Sequence, residues 1–171
     1  TLSVAGNSEI FVLGSDGAIR RRITRNRAID VSPTWAPNGR ELAFVSDRTG
    51  FPQVYVCDAF GGNVRRLSES GSYNVSPAWS PHGDAIAYVS RDGWRYRLKL
   101  VSPDGLAEEI IHEDDYSYED PSWAPDGRHI AATVRYGGVP WIVIIDVDSG
   151  EKRLLVRGES PAWSPLPPGE D

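Results

Sequence analysis

Hydrophobic and polar positions along the chain form short runs rather than long periodic segments. Apolar or alternating runs at 41–46, 53–58, 85–90 and 129–134 are rich in Val, Ile, Tyr and Phe and end at turn-forming residues. Short runs of this composition between Gly, Asn and Asp are typical of β-strands. Because no stretch keeps the helical period of 3.6 residues for about ten residues, the pattern predicts an all-β protein.

One eight-residue pattern occurs repeatedly and gives the chain a long period. It reads Ser-Pro-Thr-Trp-Ala-Pro-Asn-Gly at 32–39, Ser-Pro-Ala-Trp-Ser-Pro-His-Gly at 76–83 and Asp-Pro-Ser-Trp-Ala-Pro-Asp-Gly at 120–127, with a shorter copy at 160–165. The tryptophans of these copies, 44, 44 and 40 positions apart, are Trp35, Trp79, Trp123 and Trp163. A nearly constant period of this length indicates repeated structural units.

Each repeat predicts four short antiparallel strands, which we name A to D in chain order. Strand A carries the Trp, an Asn-Gly, His-Gly or Asp-Gly turn leads to strand B, and Gly-containing turns lead to C and D. Four strands in about 44 residues form the pattern of a β-propeller blade. A large flat side chain on each inner strand fits the space between neighbouring blades, so we expect the tryptophans to pack there.

The repeat divides the chain into about four blades' worth of one propeller domain, three complete blades and one shared between the two ends. The predicted units are a partial blade with strands B to D at 1–31, blades at 32–75, 76–119 and 120–159, and a closing strand A with a Pro-rich tail at 160–171. Pairing of the last strand with the first unit closes a four-bladed ring. The alternatives are a ring shared by two copies and a larger parent ring, which we favour because 1–4 begins in mid-strand.

The repeat resembles that of the TolB β-propeller family. The resemblance is carried by Pro-x-Trp-x-Pro-Asp-Gly, by Ser-Asp-Arg-Thr-Gly-Phe-Pro-Gln-Val-Tyr-Val at 46–56, and by the Gly-Gly and Arg-Arg-Leu that follow. The ending at 160–165 is also similar to the way TolB chains end, and the resemblance covers about residues 8–165. The family combines an N-terminal α/β domain with a six-bladed propeller, so this chain corresponds to part of the propeller. The resemblance implies a periplasmic protein that binds the lipoprotein Pal and other Tol-system proteins and supports outer-membrane integrity.

Composition and charge exclude several classes of protein. The 18 Lys and Arg residues against 24 Asp and Glu give a net charge of −6, so the basic surface typical of a nucleic-acid-binding protein is missing. No apolar run approaches the roughly 20 residues of a membrane-spanning helix, so direct membrane insertion is not expected. The single cysteine, Cys57, cannot form an internal disulfide or a Cys-rich zinc site.

The residue patterns that mark a catalytic centre do not occur in the sequence. A Gly-x-Ser-x-Gly nucleophile elbow and a Gly-x-x-x-x-Gly-Lys phosphate loop are both missing. His82, His112 and His129 lack the spacing of zinc ligands. The segment 146–150 resembles the start of a calcium loop without its later ligands, so a hairpin turn is favoured. We therefore predict no catalytic, cofactor-binding or metal-binding residues and a protein that is not an enzyme.

Aromatic residues concentrate in the D–A and B–C loops, which are predicted to emerge at one end of the propeller. Loop tyrosines and tryptophans beside acidic residues are typical of a protein-recognition surface, although such rings can also simply cover neighbouring blades. The candidate contact residues are Asp30, Tyr73, Asn74, Trp94, Tyr116, Tyr118, Glu119 and Tyr136. The sequence thus favours a protein-binding scaffold. The alternatives are the gating propeller of a larger prolyl-oligopeptidase-like hydrolase and a carbohydrate- or cell-surface-binding module.

Two clusters of charge allow more than one interpretation. Arginines at 20–22, 25 and 27 lie on and after a predicted outer strand, where charge keeps a sheet edge soluble. This interpretation is favoured over a binding site for an anionic partner. The acidic residues between 108 and 120 are either solvated or placed at the rim of the central tunnel.

Overall fold

The computed structural model describes residues 1–4, 6–111 and 114–164, and over these residues the chain forms sixteen strands and no helix. The strands are β1 (Leu2–Val4), β2 (Asn7–Glu9), β3 (Phe11–Leu13), β4 (Ile19–Arg22), β5 (Asp30–Trp35), β6 (Glu41–Ser46), β7 (Gln53–Asp58), β8 (Arg65–Arg66), β9 (Asn74–Trp79), β10 (Ile86–Asp92), β11 (Arg95–Val101), β12 (Glu108–Ile110), β13 (Tyr118–Trp123), β14 (His129–Tyr136), β15 (Val139–Asp146) and β16 (Lys152–Arg157). The all-β prediction is confirmed. Among the residues singled out from the sequence, His112 and the tail from 165 onward lie outside the described residues.

Three four-stranded antiparallel sheets correspond to the three complete repeats. Their strand orders are β5-β6-β7-β8, β9-β10-β11-β12 and β13-β14-β15-β16, so each sheet is a meander in the order A to D. Tight turns produce this order; the amide of Gly39, at a φ of 68°, donates to the carbonyl of Ala36 (2.9 Å) between strands A and B. Positive φ is readily available to Gly, which explains the Asn-Gly and Asp-Gly pairs of the sequence. The predicted four-stranded units are confirmed.

The first unit is built from two separate two-stranded sheets. Strand β1 pairs with β2, and β3 pairs with β4. Strands β2 and β3 are separated at Ile10, whose amide donates to Thr24 Oγ1 (3.0 Å) instead of a neighbouring strand carbonyl. The carbonyl of Ile10 still accepts from the amide of Ile23 (2.8 Å), so the chain continues in the same direction. Alternation of polar and apolar residues carries no signal for such a hydroxyl contact.

Every strand A of the complete sheets contains a bulge just before its Trp. In β5, Val31 pairs with Val45 and Thr34 with Ala43, so two residues lie opposite one. The second residue of each bulge is Pro, which has no amide hydrogen and is tolerated where the ladder is locally broken. The residue before each of these prolines, and before that of the last copy, has a positive φ: Ser32 (52°), Ser76 (53°), Asp120 (50°) and Ser160 (53°). The four copies therefore share one local backbone.

The four strand-A segments line a common concave surface, as the inner strands of a propeller do. It borders a cavity of about 650 Å³ that is lined by the Trp of all four copies and by prolines of the first three. The indoles of Trp35 and Trp163 are 45% and 39% exposed. Those of Trp79 and Trp123 are buried between successive sheets, and the Trp123 indole N–H donates to the carbonyl of Ala78 in the preceding sheet (3.0 Å). The predicted packing role thus holds for the two central tryptophans.

The last copy of the repeat lies against strand β13. The amide of Trp163 donates to Ser122 Oγ (3.3 Å), and the hydroxyl of Ser160 donates to Asp120 Oδ2 (2.8 Å). Residues 161–164 belong to no strand. Pairing of this segment with the first unit stays a prediction, as do the blade boundaries taken from the sequence.

Candidate protein-binding face

The D–A segments and the B–C turns lie together at one end of the sheets. Backbone hydrogen bonds join them: the amide of Asp47 donates to the carbonyl of Ile29 (3.4 Å), and that of Arg91 donates to the carbonyl of Tyr73 (2.8 Å). We call this end the loop face. It comprises residues 23–29, 47–52, 68–73, 91–96, 114–117, 119, 135–139 and 158–159.

Large aromatic side chains on the loop face are exposed to solvent. Trp94, in the β10–β11 turn, is 92% exposed, and Tyr136, at the end of β14, is 56% exposed. The ring of Tyr73 meets that of Tyr96 edge-on with 6.1 Å between their centroids, and the rings of Tyr116 and Tyr136 lie 6.0 Å apart. Rings of this kind supply a large contact area with few rotatable bonds, which suits them to protein recognition.

Three of the predicted contact residues are buried instead. Asp30, Asn74 and Tyr118 each begin strand A of their sheet, and at most 1% of each residue is exposed. Their side chains cannot contact a partner in this structure, which corrects the prediction for these three residues. The sequence misled because a polar or aromatic residue at the start of a strand looks like part of the preceding loop.

In each of the three complete sheets, the buried side chain that begins strand A is hydrogen-bonded to the residue four positions earlier in the chain. The three hydrogen bonds run from Asn26 Nδ2 to Asp30 Oδ2 (2.7 Å), from Asn74 Nδ2 to Ser70 O (2.9 Å) and from the Tyr118 hydroxyl to Asp114 Oδ2 (2.7 Å). The Tyr118 phenol is protonated at neutral pH and donates this hydrogen bond, and burial raises its pKa further. This position therefore anchors each D–A loop beneath the loop face.

A small groove brings two of the remaining candidates together. Its volume is about 280 Å³, and Tyr73, Tyr96, Glu119 and Asp120 are among its lining residues. The carboxylate of Glu119 lies 3.5 Å from the guanidinium of Arg135. The groove thus combines two aromatic rings with two carboxylates and can accept a side chain that is both apolar and basic.

The acidic stretch between 108 and 120 contains carboxylates that are engaged within the protein. Glu108 accepts hydrogen bonds from the hydroxyl of Tyr88 and from Lys99 Nζ (3.0 Å). Burial alone raises the pKa of the Glu108 carboxyl, but these hydrogen bonds outweigh it and lower that pKa. Asp115 pairs with Arg95 (2.7 Å) at the surface. These groups brace the loops, and this interpretation replaces that of a merely solvated stretch.

The opposite end of the sheets exposes two large apolar side chains that sequence reasoning missed. Leu106 is 87% exposed and Phe60 is 72% exposed, each in a turn between strands C and D. The signal was present, because a large apolar residue stands beside the turn glycines Gly61 and Gly105 where small or polar residues are usual. The loop face is therefore not the only end with exposed apolar groups.

The described residues contain no group of three or more His, Cys, Asp and Glu side chains arranged to hold a metal ion. Within them, no helix is long and apolar enough to cross a membrane. Asp146 Oδ1 accepts from the amides of Asp148 (3.0 Å) and Ser149 (3.1 Å), which is the geometry of the favoured hairpin turn. The thiol of Cys57 is buried, and burial raises its pKa to about 12, so it is not a reactive thiolate.

Comparisons with known proteins identify relatives of the chain. A family model described as the TolB beta propeller domain matches residues 1–167. The Tol-Pal system protein TolB of Bordetella pertussis is 44% identical over 48 residues, which make up 28% of this chain and 11% of that relative. The crystal structure of TolB from Acinetobacter baumannii is similar with a TM-score of 0.81 and 31% identity, over 95% of this chain and 42% of that chain. The chain therefore spans less than half of the length of that TolB.

The fold also occurs in proteins of another class. A puromycin-hydrolyzing peptidase of Mycobacterium tuberculosis is similar with a TM-score of 0.66 and 18% identity, over 86% of this chain and 24% of that chain. A likeness at this identity shows the fold alone.

Proposed function

The chain belongs to the TolB β-propeller domain family, and we propose that it is a non-catalytic protein-binding module of the Tol–Pal system whose loop face contacts the partner. The observation that carries this proposal is the exposure of Trp94 and Tyr136 on the loop face, beside the groove lined by Tyr73 and Glu119. Exposed aromatic groups on loops held by a rigid scaffold are a common basis of protein recognition.

The proposed partner is the lipoprotein Pal, bound in the periplasm, and the proposed role is support of the outer membrane. The family membership and the name of the Bordetella pertussis relative support this choice. Other proteins of the Tol system are further proposed partners. The matched relatives are much longer than the aligned segments, so their activities are carried over here as proposals.

The proposed contact set consists of the predicted residues that reach the surface. Its members are Tyr73, Trp94, Tyr116, Glu119 and Tyr136. Trp94 and Tyr136 have the most ring surface to lose to a partner, because they are the most exposed of these aromatics. Such residues carry most of the binding energy at protein interfaces, whereas a rim carboxylate mainly affects the association rate.

The test is titration calorimetry of this chain with the purified periplasmic domain of Pal. We expect Trp94→Ala and Tyr136→Ala each to weaken binding about tenfold or more, the loss typical of an interface anchor. Both side chains are exposed, so the unfolding temperature should stay close to that of the parent chain.

The matched control is Leu106→Ala, which removes a side chain of similar exposure at the opposite end of the sheets. We expect it to leave the affinity for Pal unchanged. No binding of Pal by the parent chain, or equal losses from Leu106→Ala and Trp94→Ala, contradicts the proposed function.

The competing function is that of a gating propeller in a larger hydrolase. The likeness to a puromycin-hydrolyzing peptidase favours it, although that likeness extends to the fold alone. The discriminating measurement is the sequence of the parent gene. A catalytic domain encoded in frame with this propeller favours the hydrolase, and a TolB-like α/β domain favours the Tol–Pal module.

A further inference from the structure

A second surface, away from the loop-face groove, is lined by arginine. A crevice of about 570 Å³ runs between β4 with its following segment and the turn between β7 and β8. The four arginines that line it are Arg21, Arg22, Arg25 and Arg48. Phe60 and Val64 supply an apolar wall, and none of the described residues that line the crevice carries a carboxylate. We call it the basic crevice.

Two of the four arginines keep a net positive charge available in the basic crevice. Arg22 pairs with Glu9, and Arg48 lies 3.1 Å from a carboxylate oxygen of Asp30. Arg21 and Arg25 have no ion-pair partner within the part of the chain that the structure describes. In a chain with a net charge of −6, this is a local reversal of charge.

The guanidinium of Arg21 is held in place before any ligand arrives. It donates to the carbonyl of Ala59 (2.9 Å) and lies 4.1 Å from the centre of the exposed Phe60 ring. A guanidinium fixed over an aromatic ring loses little conformational entropy when its remaining N–H groups bind a carboxylate. The contact is therefore preorganised for an anion with an apolar neighbour.

The equivalent contact in the next repeat shows that the fold does not require arginine and apolar side chains at these positions. We call the contact between residues 21–25 and 59–64 the first joint, and that between residues 65–69 and 103–108 the second joint. In the second joint Arg65 also donates to a backbone carbonyl, that of Pro103, but it lies 3.4 Å from Glu41 as well. Forty-four positions along the chain, the counterparts of Arg25, Arg48, Phe60 and Val64 are Glu69, Asp92, Asp104 and Glu108. The same backbone thus accepts acidic residues where the first joint has arginine and apolar groups.

We propose that the basic crevice binds an acidic segment of a protein partner, with carboxylates on Arg21 and Arg25 and an apolar side chain against Phe60 and Val64. Charge complementarity selects the carboxylates, and planar guanidinium groups bind them with two parallel hydrogen bonds. The exposed ring of Phe60 distinguishes such a segment from a small inorganic anion, which has nothing to place against it. Arg25 and Arg48 lie on the loop face, but no residue that lines the basic crevice belongs to the contact set proposed for Pal.

The experiment measures fluorescence anisotropy of the full chain with a fluorescein-labelled peptide of four Glu-Phe repeats at low ionic strength. A peptide of four Gln-Phe repeats is the uncharged control ligand. We expect the Glu-Phe peptide to bind at least about tenfold more tightly than the Gln-Phe peptide, and added salt to weaken this binding.

The variants Arg25→Glu and Phe60→Asp place the residues of the second joint in the first. Each is expected to weaken binding of the Glu-Phe peptide about tenfold or more. Arg153→Glu makes the same charge change on the exposed edge strand β16 and should leave the affinity nearly unchanged. Trp94→Ala should also leave it unchanged, so failure here and failure of Pal binding are distinguishable.

Three results overturn the proposal. The first is equal binding of the two peptides, and the second is an equal effect of Arg153→Glu and Arg25→Glu, which indicates net charge alone. The third is binding of inorganic phosphate or phosphatidylglycerol vesicles that depends on Arg25 but is unaffected by Phe60→Asp, without binding of the peptide. That result assigns the basic crevice to a phosphate-bearing ligand, and the vesicle and phosphate arms separate a lipid from a free anion.

Discussion

In the first joint Arg21 donates to the carbonyl of Ala59, and in the second joint Arg65 donates to the carbonyl of Pro103. Each joint also buries one aliphatic side chain, that of Ile23 or that of Leu67. The side chains around this shared backbone contact differ in charge. Those at the edge of the first joint are basic, and those at the edge of the second joint are acidic. The comparison shows that the repeat specifies backbone contacts and buried volume, while rim positions that do not pack are free to differ.

The two joints also differ in how closely their turn glycines approach the neighbouring sheet. Gly61 and Gly105 are equivalent and have positive φ values of 87° and 80°. A Cβ at Gly61 collides with the carbonyl oxygen of Ile23, whereas a Cβ at Gly105 meets only the flexible end of Leu67 at 3.4 Å. The two backbone segments of the first joint therefore lie closer together than those of the second joint, although the basic crevice lies at the edge of the first joint.

The largest expected effect comes from substituting these glycines. We expect Gly61→Ala to lower the free energy of unfolding by about 3 kcal/mol, because a backbone collision adds to the strain of positive φ. Gly105→Ala should cost about 1 kcal/mol, from the strain of positive φ alone. Urea denaturation at 25 °C measures both, and equal losses contradict the difference in approach.

An intermediate effect is expected from Glu108, a partly buried carboxylate of the second joint whose counterpart in the first joint is Val64. Glu108→Gln removes the charged acceptor of Lys99 and Tyr88, and it should lower the free energy of unfolding at pH 7 by about 2 kcal/mol. Glu109→Gln, at the exposed neighbouring position, is the control and should have almost no effect.

The cost of Glu108→Gln should depend on pH in a defined direction. The folded-state pKa of Glu108 lies below its ordinary value of 4.5, so its stabilising contribution is complete above that value. The contribution is lost as the pH falls through the folded-state pKa. Denaturation curves of the parent chain and the variant should therefore converge as the pH falls from 4.5 through this lowered pKa, and a difference that stays constant contradicts the ionic role.

The smallest expected effect concerns the rim of the first joint. Arg25→Glu should change the free energy of unfolding by less than about 0.5 kcal/mol, because Arg25 is exposed and the fold carries Glu at the equivalent position 69. A large loss of stability measured by the same denaturation assay makes Arg25 a structural residue. In that case the fold itself requires Arg25, and the two joints differ in more than their surface charge.

The sequence was sufficient to predict the strands and their grouping. A Trp every 40 to 44 positions with similar turn residues around it identifies the repeat, and each complete repeat supplies its own hydrogen-bonded partner strands. The break between β2 and β3 at Ile10 could not be predicted, since it depends on the hydroxyl of Thr24, in the segment after β4, reaching the Ile10 amide. Contacts between side chain and backbone across a sheet leave no period in the sequence.

The candidate site was predicted less completely than the fold. Trp94 and Tyr136 could be placed on an exposed loop because their turns contain Gly. Asp30, Asn74 and Tyr118 were misplaced, because only the three-dimensional path of the D–A loop reveals that it closes over them. The basic crevice shows the same limit: its arginines were visible in the sequence, but the ring of Phe60 beside them was not.

The hydrogen bond from the Trp123 indole to Ala78 gives the array of sheets a direction. Each central tryptophan packs between residues of the preceding sheet and the later strands of its own sheet. During synthesis on the ribosome a new blade thus finds its docking surface already made and needs none of the chain still to come. Growth in this direction shortens the time during which the indole of a newly made strand A is exposed. An exposed indole makes the emerging chain prone to aggregate.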